Sequence, residues 1–200
     1  MKVAIILKAP AFSDEVLEEN VIYADGAYKF KDKVGEKNVL AVVGDFDSID
    51  KVPTGENLVK LNPEKDFTDG ERAVRLAKEK GADEIVIYGG YGGKIEHILG
   101  NLALLKIAKN MSLNASIMDG QTKTQLISGK VEIPLRKGSK VSLIPYGGQC
   151  SFVKSKGLYY SLDGLTLTTA DTVGISNIAL KDKIEIEISK GEALLVYEKN

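Results

Sequence analysis

Ile85-Val86-Ile87-Tyr88-Gly89-Gly90-Tyr91-Gly92-Gly93-Lys94-Ile95-Glu96-His97-Ile98-Leu99 runs from β-branched residues, through four glycines, into apolar residues at helical spacing. Ile85 to Tyr88 is too short and too continuously apolar for a helix, and reads as a strand covered on both faces. From Ile95 to Lys109 apolar residues recur at Ile95, Ile98, Leu99, Leu102, Leu105 and Ile107, close to the 3.6 period of a helix. Ala115 to Met118 then returns to a strand. Strand, turn, helix, strand is a parallel crossover unit. The same texture extends upstream, with strands expected at Val3 to Leu7, Val21 to Ala24, Val39 to Val43 and Asn57 to Leu61. A second helix is expected from Asp69 to Lys80, with Ala73, Val74, Leu76 and Ala77 on one side and a stop at Gly81.

Beyond Met118 the texture changes. Thr124 to Ile127, Val131 to Leu135, Lys140 to Pro145, Ser151 to Lys154, Gly157 to Leu162, Leu165 to Thr169, Lys183 to Ser189 and Gly191 to Tyr197 read as eight short strands. Charge shifts at the same place: 19 acidic and 16 basic residues lie through Met118, and 9 and 11 beyond it. The expected fold is therefore an α/β domain over residues 1–118, a mostly parallel sheet with flanking helices. An all-β, sandwich-like domain over residues 119–200 follows it. A parallel sheet binds ligands beyond the carboxyl ends of its strands, so function should sit in the segments that follow them.

Composition narrows the classes. The 200 residues are 44% apolar and 28% charged, an ordinary globular balance. A net charge of −1 gives no field to draw the chain onto nucleic acid. The longest apolar runs are far below the roughly 18 residues that cross a bilayer. Met1-Lys2 and the apolar run after it lack the features of a secretory signal, and the single cysteine, Cys150, suits a reducing compartment, so a cytoplasmic protein is expected.

The strand exits carry the chemistry. Asp25 follows one expected strand, Gly44-Asp45-Phe46-Asp47-Ser48-Ile49-Asp50 another, and Asn62 to Asp69, with Asp66 and Asp69, a third. Carboxylates gathered there would repel one another unless a cation joins them, and oxygen donors favour a hard one such as Mg²⁺, which shares its shell with substrate phosphates. The plainer alternative is helix capping, open to Asp50, Asp66 and Asp69. The glycines 89, 90, 92 and 93 let backbone N–H groups approach a phosphate, and the following helix N-terminus favours an anion. His97 and Asn101, four apart, face the same way and can bond each other or a ligand.

Four segments in order, Gly44-Asp45-Phe46-Asp47-Ser48-Ile49, Lys65-Asp66-Phe67-Thr68-Asp69, Gly89-Gly90 to Asn101-Leu102, and Gly174-Ile175-Ser176-Asn177, resemble the motifs of the thiamine pyrophosphokinase family. The resemblance implies transfer of a diphosphate from ATP to the thiamine hydroxyl, with release of AMP. It implies a homodimer with thiamine bound between subunits and the second domain taking part in both. It places Asp45, Asp47 and Asp69 on Mg²⁺, and Asp25, Asp66 and Thr68 with Gly90, Gly92, Gly93 and Lys94 around the nucleotide. Glu96, His97, Asn101, Tyr160, Ser176 and Asn177 would meet thiamine. Two departures stand out: Lys94-Ile95-Glu96-His97 where the family often has Arg-x-Asp-His, and Gly157-Leu158-Tyr159-Tyr160 where relatives carry a tryptophan. The residues alone leave two other readings open. Asp45 and Asp47 also fit a Mg²⁺ phosphatase that forms an aspartyl-phosphate, and the whole also fits a non-enzymatic nucleotide- or vitamin-binding module.

Overall fold

The computed structural model describes residues 1–46, 57–62, 64 and 66–199. The chain divides into two compact units, Met1–Gly120 and Gln121–Asn200.

In the first unit every described strand pairs in parallel: β1 (Lys2–Ile6), β2 (Asn20–Ala24), β3 (Asn38–Gly44), β4 (Leu58–Lys60), β5 (Glu84–Tyr88) and β6 (Asn114–Asp119). Their spatial order is β6-β5-β1-β2-β3-β4. The chain leaves β1 toward β4 on one side, then returns to lay β5 and β6 on the other. The order therefore reverses between β1 and β5, and it is outside the carboxyl ends of such a pair that a doubly wound sheet opens a crevice.

Both faces are covered, which explains the continuous apolar runs. Ala4, Ile6, Tyr23, Val42, Val86 and Tyr88 pack with Phe12, Val16, Phe30 and Phe46 on one face. On the other, α2 (Asp69–Glu79) lies against β1 to β3 and α3 (Ile95–Asn110) against β6. Thr68 caps α2, its hydroxyl accepting the Glu71 N–H at 3.1 Å, so this cap falls on neither Asp66 nor Asp69, and Asp50 lies outside the described residues. Two short elements were not expected: a 3-10 helix at Asp25–Phe30, running into a single α-turn, α1 (Lys31–Val34). Pieces this short carry no periodic signal. No described helix is long and apolar enough to cross a membrane.

The second unit is built of antiparallel strands: β7 (Thr122–Pro134), β8 (Lys140–Lys156), β9 (Thr166–Leu167), β10 (Asn177–Ile178) and β11 (Lys183–Glu198). Leu135, Val141, Leu143, Phe152, Leu162, Ile184, Ile186 and Leu195 form its core. Six of the eight expected short strands fuse in pairs into β7, β8 and β11. Glycines read as turns are instead irregularities inside long strands: Gly129, Gly147, Gly148 and Gly191 all have positive φ, where the register of β11 against β7 and β8 shifts. A Cβ on Gly191 would run into the Gln149 carbonyl, leaving no room for a side chain. Gly157 to Leu162 is not a strand; only Leu158 bridges, to Ala179.

Candidate active site

A pocket of about 550 Å³ opens at the reversal point of the first unit. Leu7, Lys8, Ala9 and Pro10 reach it from the end of β1, and Gly89, Gly92, Gly93 and Lys94 from the end of β5. Asp25 and Lys29 enter from the end of β2, Thr68, Asp69 and Gly70 from the start of α2, and Glu96, His97, Gly100 and Asn101 from the first turns of α3. Two helix N-termini and a glycine turn thus face a cavity that also holds carboxylates and ammonium groups. Backbone N–H groups at such termini bind anions, and Lys8, Lys29 and Lys94 offset the charge of Asp25, Asp69 and Glu96 on the same wall.

Steric reasons fix the glycine turn. Gly89 has φ 72°, and a Cβ there would lie 2.6 Å from the Leu7 carbonyl oxygen; a Cβ on Gly90 would lie 2.7 Å from Ile117. Gly92 and Gly93 have φ of 88° and 77° and lie over Pro10. Asn101 Nδ2 donates to the Gly90 carbonyl at 2.9 Å. Its side chain therefore ties the turn to α3 while lining the pocket. Below the turn, Tyr88 Oη donates to the buried Glu18 carboxylate at 2.8 Å, and burial with that neighbour pushes the phenol's pKa far up.

Asp25 carries the strain at the other wall. Its φ is 51°, a conformation rare outside glycine, and Lys8 Nζ lies 3.4 Å from its Oδ2. Gly44, where β3 ends, is shaped for it: a Cβ would stand 3.0 Å from the Asp25 Cα. Phe46, between Asp45 and Asp47, is also left-handed at φ 63° and is buried in the core. Strained residues at two neighbouring strand exits are a mark of functional sites.

Among the described residues the wall takes in Asp25, Thr68 and Asp69, but not Asp45 or Asp66. Asp47, with Ser48 to Asp50, lies outside the described residues, so the Asp45, Asp47 and Asp69 set stays an expectation. No three metal-ligating side chains converge among the described residues. The donor chemistry nonetheless suits Mg²⁺: Asp25 and Asp69 offer hard oxygens to one cavity, and this ion takes few carboxylates and completes its shell with phosphate and water. The sequence reading missed Lys8, Lys29 and Gly70. Lys8 was open to discovery, since the rule that drew attention to the other strand ends applies equally to β1; Lys29 rides on the unforeseen 3-10 helix.

The second unit shows its own cluster. Tyr159 and Tyr160 pack edge to face at 4.8 Å between centroids, and both are about 60% exposed. Asn177 is buried beneath them, its Oδ1 accepting the N–H groups of Tyr160 (3.0 Å) and Ile178 (2.9 Å) and its Nδ2 donating to the Tyr160 carbonyl (2.7 Å). This amide is directed at backbone and fixes Tyr160. Ser176 is exposed, with φ 59° and its N–H on Ser142 Oγ at 3.1 Å.

Comparison with known proteins places these features. Residues 16–117 match the thiamin pyrophosphokinase catalytic domain and residues 129–192 the vitamin B1 binding domain of the same family. Thiamine pyrophosphokinase of Bacillus subtilis strain 168 is 29% identical over 135 residues, 66% of this chain and 63% of that relative. The crystal structure of thiamine pyrophosphokinase from Bacillus subtilis superposes with a TM-score of 0.85 at 23% identity, covering 100% of both chains. That of yeast thiamin pyrophosphokinase gives 0.75 at 14% identity, over 98% of this chain and 86% of the other. The first match alone takes in more than half of the sequence and includes every described element that lines the pocket except the end of β1; with the second, it shows that the chain belongs to the thiamine pyrophosphokinase family.

Proposed function

We propose that this protein transfers the diphosphate of ATP to the hydroxyl of thiamine, giving thiamine diphosphate and AMP. The carrying observation is the pocket itself, where carboxylates, lysines and glycine N–H groups meet at the reversal point of a sheet whose chain matches both family domains. In the reaction the thiamine alcohol oxygen bonds to the β-phosphorus, and the bond from that phosphorus to the α,β-bridging oxygen breaks. The electron pair leaves on AMP, and a carboxylate beside the alcohol takes its proton. The Gly92-Gly93 turn and the N-terminus of α2 hold phosphoryl oxygens, and Lys94 offsets their charge. Asp25 and Asp69, with Asp45 and Asp47 as the resemblance has it, would hold Mg²⁺, which when bound neutralises charge on the diphosphate. Asp66 belongs to the turn that leads into α2.

Thiamine is a cation, so Glu96 and His97 at the pocket rim and the Tyr160 ring fit it as counter-charge and stacking face. The second unit is proposed as the sandwich-like, thiamine-binding and dimerising part. Exposed apolar side chains support a homodimer: Ile95 and Leu99 on α3, and Tyr159, Val173, Ile175 and Ile178 in the second unit. A second copy would cover them and bring the acceptor residues of the two units together across subunits. A cytoplasmic, nucleic-acid-independent enzyme is the matching assignment.

Resolving the products after incubation with ATP, Mg²⁺ and thiamine tests the proposal. AMP and thiamine diphosphate in equal amounts are expected. ADP with thiamine monophosphate, or inorganic phosphate alone, would overturn it, the latter in favour of the phosphatase reading. Binding without any product would favour the non-enzymatic module.

A further inference from the structure

Lys8 lies ahead of residues 16–117, which the catalytic-domain match spans, yet it stands on the wall of the pocket. The backbone just before it is held against the end of β5. The Leu7 N–H donates to the Tyr88 carbonyl at 2.9 Å, and the Leu7 carbonyl presses on Gly89, so the exit of β1 is fitted directly to the glycine turn. From there the side chain reaches Asp25 at the end of the adjacent strand β2, Nζ to Oδ2 at 3.4 Å, with 45% and 24% of the two side chains exposed. Such a partly exposed, long pair is weak, since solvent screens it and ordering the flexible stem opposes it. A phosphate chain carries several charges, accepts shorter charge-assisted bonds, and is drawn to the same cavity by two helix N-termini. An ammonium on a four-carbon stem can turn from one acceptor to the other without moving the backbone.

We propose that Lys8 is a ligand of the donor's phosphate chain, turning from Asp25 to phosphate oxygens as the nucleotide binds. This rests on the donor reading above. It makes the end of β1 a third arm of the phosphate cradle, beside the glycine turn and the start of α2.

Titration calorimetry of the full chain with Mg²⁺ and α,β-methylene-ATP, and separately with adenosine, tests this. Lys8→Met should weaken the analogue at least about tenfold while leaving adenosine within about twofold, and Lys8→Arg should restore most of the loss. In turnover, Lys8→Met should raise the KM for ATP and leave that for thiamine nearly unchanged. Unchanged analogue affinity in Lys8→Met overturns the proposal, as does an equal loss for adenosine, which would mark a merely structural role. Wild-type protein that neither binds the analogue nor forms product removes the donor reading and this proposal together. Wild-type turnover matched by Lys8→Met removes this proposal alone.

Discussion

Asp25 shows how the fold holds a single strained residue on the pocket wall. Its left-handed backbone costs about 1 to 3 kcal/mol, which the rest of the fold must offset. The offset is local: Gly44 leaves the room, and a methyl there meets the Asp25 backbone at 3.0 Å. Gly44→Ala should therefore keep the fold and lower kcat/KM by about tenfold or more, because small misplacements of a positioned group are expensive. Melting curves read with steady-state rates check this; a folded variant at full rate would show that the position of Asp25 is immaterial. Asp69→Asn removes a charge from the same pocket and should lower turnover about a hundredfold, roughly 2.7 kcal/mol of transition-state stabilisation, with little change in melting temperature. Cys150 provides the contrast. It is fully buried in the second unit, and burial pushes its thiol up to about 11, so alkylation at pH 8 should be at least about a hundredfold slower in native than in unfolded protein. Rapid native labelling would show that this core opens.

At the scale of elements, the sequence was most legible where burial is two-sided. Strands β1, β2, β3, β5 and β6 and helices α2 and α3 lie within a residue or two of their expected bounds, because apolar runs and a capped helical period report burial directly. The second unit was less legible for a physical reason. A glycine with positive φ serves a turn and a bulge equally well, and only the partner strand decides which; β8 and β11 continue through Gly147, Gly148 and Gly191 because each has a long neighbour to pair with. The site followed the same division. The sheet rule pointed to Asp25, Asp69, Gly92 and Gly93, and the resemblance to Thr68 and Lys94, all of which line the pocket, whereas the hydrogen bonds of Asn101 and Asn177 go to backbone groups that no spacing reveals. Asn177→Ala removes three hydrogen bonds from a buried site and leaves the Tyr160 backbone unpaired, so it should cost about 2 to 4 kcal/mol. Chemical denaturation measures it, and a loss below about 0.5 kcal/mol would show that the Tyr159-Tyr160 turn is held by other contacts.

At the scale of the whole molecule, the exposed apolar side chains of α3 and the second unit are the basis of the proposed homodimer. Light scattering should give a dimer. Leu99→Asp, at a position 61% exposed and so harmless to the folded chain, should shift it toward monomer and lower thiamine turnover. A fully active monomer would contradict the shared acceptor site. The central claim, nucleophilic attack on the β-phosphorus in the pocket between β1 and β5, is tested most directly by ATP carrying ¹⁸O in the α,β-bridge. Turnover with thiamine should leave the label in AMP and none in thiamine diphosphate; label departing with pyrophosphate, or retained in ADP, would contradict it.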